Sequence, residues 1–282
     1  MNPDSGRVGA VIGSPVSHSL SPALYAAAFD ELGITGRYGA VECGSDAVRS
    51  VFAELVRDGI RALSVTMPLK ESIIGCLDVL DDDAALLNAV NCVSFADGVS
   101  RGHNTDGDGC CDALVEQGGA VLNGASAVVL GAGGTARSVA LALGRRGAHV
   151  GVVNRTVAHA ESLVRRLGAD VAGHGGSLRV SSPVDIETSA VLVNTTSVGM
   201  NTDESPVDPS LLHGSLVVLD AVYSPMDTVL LQNSRSRGAR TVDGLWMLVQ
   251  QARRQCRHQF GAEPTSARLR EAAERELARR HK

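Results

Sequence analysis

The sequence predicts an α/β protein of two domains, each built from strands that alternate with helices. Three observations predict it. A chain of 282 residues is long for one small core and suits two. Short β-branched or apolar runs alternate with amphipathic stretches through the first hundred or so residues, the pattern of βαβ units and a largely parallel sheet. A second series of the same kind opens near Ala127, with a glycine-rich turn between its first strand and first helix.

In the first series, Val8–Ile12 reads as a strand, Pro22–Leu32 as a helix closed by Gly33, and Tyr38–Glu42 as a second strand. Ala47–Arg57 reads as a helix, with strands at Ala62–Thr66 and Asn91–Phe95. Ser21 ahead of Pro22 reads as an N-cap with proline at the first helical position. Pro68 is expected to turn the chain from the third strand into a helix. In the second series, Val128–Leu130, Val150–Val153, Val191–Asn194 and Val217–Asp220 read as strands, and Ala136–Arg145 and Ala158–Leu167 as helices. Residues 243–282 read as almost wholly helical, broken at Gly261 and Pro264. No strand is left there to join the second sheet, so this tail is expected to return to the first domain. The expected division is 1–106, completed by 243–282, against 107–242. Glu263, Glu271, Glu274 and Glu276 interleave with the tail's arginines, which makes that face solvated helix surface.

Composition removes several functions. A net charge of −5 lacks the basic footprint of a nucleic-acid binder. Met1–Arg7 has no apolar stretch of signal-peptide type, and no apolar run approaches a membrane span, so a cytoplasmic protein without a membrane partner is expected. The six cysteines, at 43, 76, 92, 110, 111 and 256, form no CxxC pair and suit reduced thiols. With no HExxH among the histidines and no ligand spacing among the cysteines, no metal is expected; a GxSxG elbow is also missing. Only two of the 26 basic residues are lysines, Lys70 and the terminal Lys282. An internal lysine in an arginine-rich chain suits a task arginine cannot perform, such as releasing a proton near neutral pH.

The strongest single motif is Ala127-Val-Val-Leu-Gly131-Ala-Gly133-Gly134-Thr-Ala136, a hydrophobic strand running through GxGxxA into a helix. This is a dinucleotide fingerprint and makes the second domain Rossmann-type. Gly131 permits the tight turn, Gly133 lets a pyrophosphate approach the backbone, and Ala136 allows close helix–strand packing. N–H groups at the helix start then bind phosphate. An NAD site usually carries a carboxylate at the end of the next strand, but here that strand ends Val153-Asn154-Arg155-Thr156. Arg155 suits a 2′-phosphate, with Asn154 and Thr156 adding neutral hydrogen bonds, so NADP is the expected cofactor.

Three segments of the first domain carry polar residues at strand ends, where open α/β sheets form ligand crevices. They are Gly13–Pro22, Ser64–Lys70 and Gly102–Gly107. With them the sequence resembles the shikimate dehydrogenase family along nearly its whole length. GxPxxHSxSP matches Gly13–Pro22, (N/S)VTxPxK matches Ser64–Lys70, AVN matches Ala89–Asn91, and NTDGxG matches Asn104–Gly109. GAGG with a following small residue matches Gly131–Ala136, and NRT matches Asn154–Thr156. NxTSxGM matches Asn194–Met200, DxxYxP matches Asp220–Pro225, and GxxMLxxQA matches Gly244–Ala252. The nine segments stand in the family's order.

The resemblance implies an N-terminal α/β substrate domain beside the Rossmann-type one, and NADP-linked interconversion of shikimate and 3-dehydroshikimate on the route to chorismate and aromatic amino acids. It implies Lys70 and Asp106 as the catalytic pair, facing the nicotinamide across a shared cleft. Ser19 and Ser21 would hold the ring carboxylate, and Thr66, Asn91, Asn104, Tyr223 and Gln251 would surround the ring. Cofactor contacts are implied for Gly131, Ala132, Gly133, Gly134, Thr135, Asn154, Arg155, Thr156, Thr196, Ala221 and Gly244. The chain departs from the family twice: His159 stands where a second arginine is common, and Thr228-Val229 replaces a TP dipeptide. Two other readings stay open: a quinate or aminoshikimate dehydrogenase using NAD or NADP, and a non-catalytic NADP-binding regulator. A homodimer also stays open.

Overall fold

The structure, a computed structural model, describes residues 6–280. The chain divides into two compact units, one running to Thr105 and resuming at Ala252, the other comprising Asp106–Gln251. The sequence expectation put the return at 243. Instead residues 243–251 stay with the second unit, because glycines let them pack closely there. A Cβ on Gly244 would lie 2.6 Å from the Ala221 carbonyl oxygen, and one on Gly109 would lie 2.6 Å from the Gln251 nitrogen.

The first unit holds β1 (Arg7–Gly13), α1 (Ser21–Leu32), β2 (Arg37–Glu42), α2 (Val48–Arg57), β3 (Ala62–Val65), β4 (Val79–Leu80), α3 (Asp82–Leu87), β5 (Cys92–Ala96) and β6 (Val99–His103). Its sheet runs β2-β1-β3-β5-β6-β4. β1 is parallel to β2 and β3, but β5 is antiparallel to both β3 and β6. The expected largely parallel sheet is therefore mixed. A two-residue hairpin, Asp97-Gly98, joins β5 to β6, and both residues have positive φ, 52° and 78°. That conformation is the favoured twist-matching turn, and Asp-Gly is its usual sequence. The sequence carries this signal in Asp97-Gly98 itself.

Another expectation fails at Pro68. The chain after β3 forms a turn and then a 3₁₀ segment, Ser72–Cys76, instead of an α-helix. The β-branched Ile73 and Ile74 and the following Gly75 are poor α-helix formers, and a short 3₁₀ turn accommodates them. Apolar residues of β1, β3 and β5 pack with Phe52 and Leu55 of α2 and with Leu69 and Ile73 into one core.

The second unit holds α4 (Asp106–Glu116), β7 (Ser126–Leu130), α5 (Gly134–Arg145), β8 (His149–Val153), α6 (Val157–Gly173), β9 (Ser177–Val180), β10 (Val191–Asn194), β11 (Val217–Asp220), α7 (Val229–Ser236) and β12 (Arg240–Val242). Its sheet is parallel throughout, in the order β12-β11-β10-β7-β8-β9. Strand order reverses between β7 and β10, and α/β sheets of this kind bind ligands at the carboxyl ends flanking such a reversal. The edge strands β9 and β12 escaped the sequence reading because Ser177, Arg179 and Arg240 interrupt their apolar pattern. α8 (Gly244–Phe260) contributes residues to both units, and α9 (Ser266–Arg280) belongs to the first, where it packs on α1.

Candidate active site

At the end of β7 the chain turns sharply through Gly131, whose φ is 111°. A side chain there would be strained, and its Cβ would lie 2.7 Å from the Thr195 hydroxyl. Gly133 differs. Its φ of −76° suits any residue, and a Cβ built on it meets nothing within 4 Å. Among the described residues nothing demands glycine there, so the open backbone suits a group that must approach it closely. Gly133 is also the N-cap of α5 and has no side chain to satisfy the first-turn N–H groups. Those groups are the donors a pyrophosphate needs, so the turn fits the expected nucleotide.

Beside this turn lies a pocket of about 440 Å³. Gly131, Asn154, Arg155, Thr156, His159 and Thr196 line it, with Leu130, Val153, Ser197, Val198 and Pro206. Sequence reasoning named five of these for the cofactor and noted His159 as a departure. Ala132, Gly133, Gly134, Thr135, Ala221 and Gly244 are not in this lining. The Asn154 amide donates to the Thr156 carbonyl oxygen at 2.8 Å and so shapes the turn ahead of α6. Thr196 is held by Asn194, whose Oδ1 accepts from its N–H at 3.0 Å and its hydroxyl at 2.7 Å.

Behind Thr196 is a buried polar network that the sequence did not reveal. Asp220, fully buried, accepts from the Asn194 amide at 2.9 Å, the Thr228 hydroxyl at 2.7 Å and the Val222 N–H at 3.1 Å. Burial pushes the Asp220 carboxyl above its ordinary range against the opposing effect of these three bonds. Thr228 also caps α7, so one side chain joins the β11 carboxylate to the next helix. The departure at Thr228-Val229 thus keeps the threonine that the network requires. Tyr223 sits in the loop so held.

In the first unit, main-chain bonds lace together the loops at the strand ends. Ser14 N–H donates to Met67 O, Val90 N–H to Lys70 O, Val65 N–H to Asn91 O and Asn91 N–H to His103 O, at 2.8–3.0 Å. Thr66 approaches so closely that a Cβ on Gly13 would lie 2.3 Å from its methyl group. Lys70, half-buried, leaves the turn after β3. Asn91 and Thr105 clamp one another: the Asn91 amide donates to the Thr105 hydroxyl at 3.0 Å, and Thr105 N–H returns to Asn91 Oδ1 at 2.9 Å. Asn104 donates to Ala89 O at 2.9 Å. Thr105 was missed because a threonine between two functional-looking polar residues carries no spacing signal of its own.

Ser21 is corrected from N-cap to first residue of α1: Leu20 occupies the cap, and Ser21 is buried within the first turn. The accepting role passes to Ser19, whose Oγ takes the Ser21 N–H at 3.2 Å. Accepting that bond leaves the Ser19 O–H to donate elsewhere. Glu42, also missed, holds the loop ahead of Ser19 by accepting from Val16 N–H at 3.0 Å. Bonds from the Ser14 hydroxyl and Val16 N–H pull its carboxyl below the ordinary range. From α9, Arg280 donates to the carbonyl oxygens of His18 and Ser19 at 2.7 and 2.9 Å. Arg280→Ala is expected to raise the KM for a ring carboxylate about threefold, the size of one or two exposed bonds, with the nucleotide KM unchanged. Steady-state kinetics with each substrate varied in turn checks this, and an equal change in both KM values counts against it.

His103 is buried and fully engaged. Its ring nitrogens bond to Asp81 Oδ2 at 2.8 Å and to the Ser94 hydroxyl at 2.9 Å, and its ring stacks on His258 with centroids 4.1 Å apart. The pair fastens the end of β6, from which Asn104 and Thr105 emerge, to the N-cap of α3. Asp106 opens α4 and is buried to 7% exposure. The N–H of Gly107, next to it, donates to the Ser138 hydroxyl at 2.7 Å. Gln251 is buried and donates to Leu248 O at 3.0 Å.

Comparison with known proteins adds two family matches and close full-length relatives. Residues 11–93 match the shikimate dehydrogenase substrate binding domain, and residues 113–175 match shikimate / quinate 5-dehydrogenase. The shikimate dehydrogenase (NADP(+)) of Halobacterium salinarum is 42% identical over 242 residues, 86% of this chain and 88% of that protein. The enzyme of the same name from Thermococcus kodakarensis is 41% identical over 268 residues, 95% and 96% of the two chains. The crystal structure of shikimate 5-dehydrogenase from Thermus thermophilus in complex with NADP(H) and shikimate superposes with a TM-score of 0.87. It is 36% identical and covers 95% of this chain and 98% of its own.

Proposed function

The chain belongs to the shikimate dehydrogenase family, and from that premise we propose how its residues share the reaction. It is an NADP-dependent oxidoreductase that interconverts shikimate and 3-dehydroshikimate, a step toward chorismate and the aromatic amino acids. The observation that carries the cofactor assignment is one pocket, at the reversal of strand order, lined by both Gly131 and Arg155. NADP, when bound, supplies the nicotinamide that exchanges hydride with the secondary alcohol.

The chain's own residues do the rest. The hydroxyls of Ser19 and Ser21 hold the ring carboxylate by donating to it without adding charge. Thr66, Asn91, Asn104, Tyr223 and Gln251 surround the ring and its hydroxyls. Oxidation releases the hydroxyl proton; Lys70 accepts it, and in the reducing direction returns it to the carbonyl oxygen. Asp106 orients Lys70 and binds a neighbouring hydroxyl. Gly133 and Gly134 present backbone N–H groups to the pyrophosphate, with Ala132 and Thr135 in the same turn, and Ala221 and Gly244 complete the nucleotide contacts. Six cysteines without disulfide spacing suit a reducing compartment, so the proposal places the enzyme in the cytoplasm.

An absorbance assay at the nicotinamide band, crossing shikimate and quinate with NADP and NAD, tests this reading. Shikimate with NADP is expected to be fastest, and turnover confined to quinate with NAD would overturn it. Arg155→Ala is expected to raise the KM for NADP about tenfold, as loss of one charge-assisted bond implies, while NAD use changes little. Equal loss with both cofactors would make Arg155 only structural.

A further inference from the structure

Two side chains that can carry positive charge line the nucleotide pocket, and they differ in kind. Arg155 brings a guanidinium and His159 an imidazole, the side-chain type that can change charge within the physiological range. His159 lies in the first turn of the 17-residue α6, its N–H bonded to Thr156 O at 3.0 Å, and it is exposed to solvent. We infer that His159 makes the preference for NADP over NAD depend on pH, binding the 2′-phosphate when protonated and losing its grip as pH rises. The inference rests on the proposed cofactor site and adds to it the part of the selectivity that is conditional.

The surroundings leave His159 to answer the phosphate. Arg155 is the other titratable residue of the pocket lining. α6 packs against α5, β8 and β9. From α5, Arg145 is committed to Asp170, and the Arg137 guanidinium lies 3.8 Å from where a Cβ on Gly134 would stand. From β8, His149 bonds to Ser177, and from β9, Arg179 pairs with Asp185. On α6 itself the nearest charged residue is Glu161, two positions on and exposed.

The phosphate titrates too, and in the opposite sense: its second ionisation, near pH 6, adds negative charge as pH rises. A variant without the imidazole keeps only that effect, which separates the two. The test is the dissociation constant of the full chain for 2′,5′-ADP and for 5′-AMP, probes that differ in the 2′-phosphate alone, measured by calorimetry from pH 6.5 to 8.5. Wild type is expected to lose about fivefold in the ratio of the two affinities, the range of an exposed ion pair. His159→Ala should show a flat or rising ratio, and His159→Arg a high ratio that does not fall as pH rises. A fall in His159→Ala equal to that of wild type would overturn the inference while leaving the cofactor site intact. Failure of wild type to prefer 2′,5′-ADP at any pH would overturn the NADP assignment and this inference together.

Discussion

Lys70→Arg is expected to lower kcat at least about a hundredfold, the lower end of what general acid–base catalysis supplies, while the KM for shikimate stays within a few-fold. The replacement isolates the proton. Arginine keeps the positive charge on a slightly longer side chain, but a guanidinium does not give up a proton near neutral pH. Its backbone position should also survive, because the Lys70 carbonyl oxygen is held by Val90 N–H at 2.8 Å whatever the side chain. A half-buried site on a turn tolerates the bulkier head without disturbing the core formed by Leu69 and Ile73. The measurement is kcat and KM across pH, with thermal unfolding to verify that the variant is folded. Turnover close to wild type would remove Lys70 from proton transfer.

Gly107→Ala is expected to destabilise the second unit by about 3 kcal/mol, the upper range for overpacking against atoms that cannot move aside. The new Cβ would lie 2.1 Å from the Ser138 carbonyl oxygen, 2.6 Å from its carbon and 2.8 Å from the Ala142 Cβ. Two of those atoms are the backbone of α5, so relief requires moving a whole helix. Such movement would also stretch the 2.7 Å bond from Gly107 N–H to Ser138 Oγ. For a unit near 150 residues this corresponds to a fall in Tm of about 6–12 °C. Activity should fall further than stability requires, because Asp106 stands next to the displaced backbone. A Tm within about 2 °C of wild type would mean that α4 and α5 do not approach as described.

The legibility of the site follows how local each signal is. The run from Asn104 to Gly109 came with the family resemblance, whereas the turn at Gly131 and the Arg155 segment could be read because each signal lies within a few positions of sequence. Gly33 could be read as a helix end for the same reason, and its φ of 66° agrees. Glu42, Thr105 and Asp220 were missed, although each holds a loop of the site. Their partners lie 26, 14 and 26 residues away respectively, at Val16, Asn91 and Asn194, and no periodicity links such pairs.

From the sequence alone came the α/β class, the nucleotide turn and the missing carboxylate after β8, each of which depends on backbone conformation or residue type at one place; the residues proposed for chemistry came from the family resemblance. Tertiary structure decided the antiparallel entry of β5, the sharing of α8 between units, the capping of α1 by Leu20 instead of Ser21, and the reason several glycines are glycine. Gly107, Gly109 and Gly244 have no space for a Cβ because another backbone passes within 3 Å of where it would stand. Which backbone passes there is settled by packing of the whole unit, and a single chain read in order contains no record of that distance.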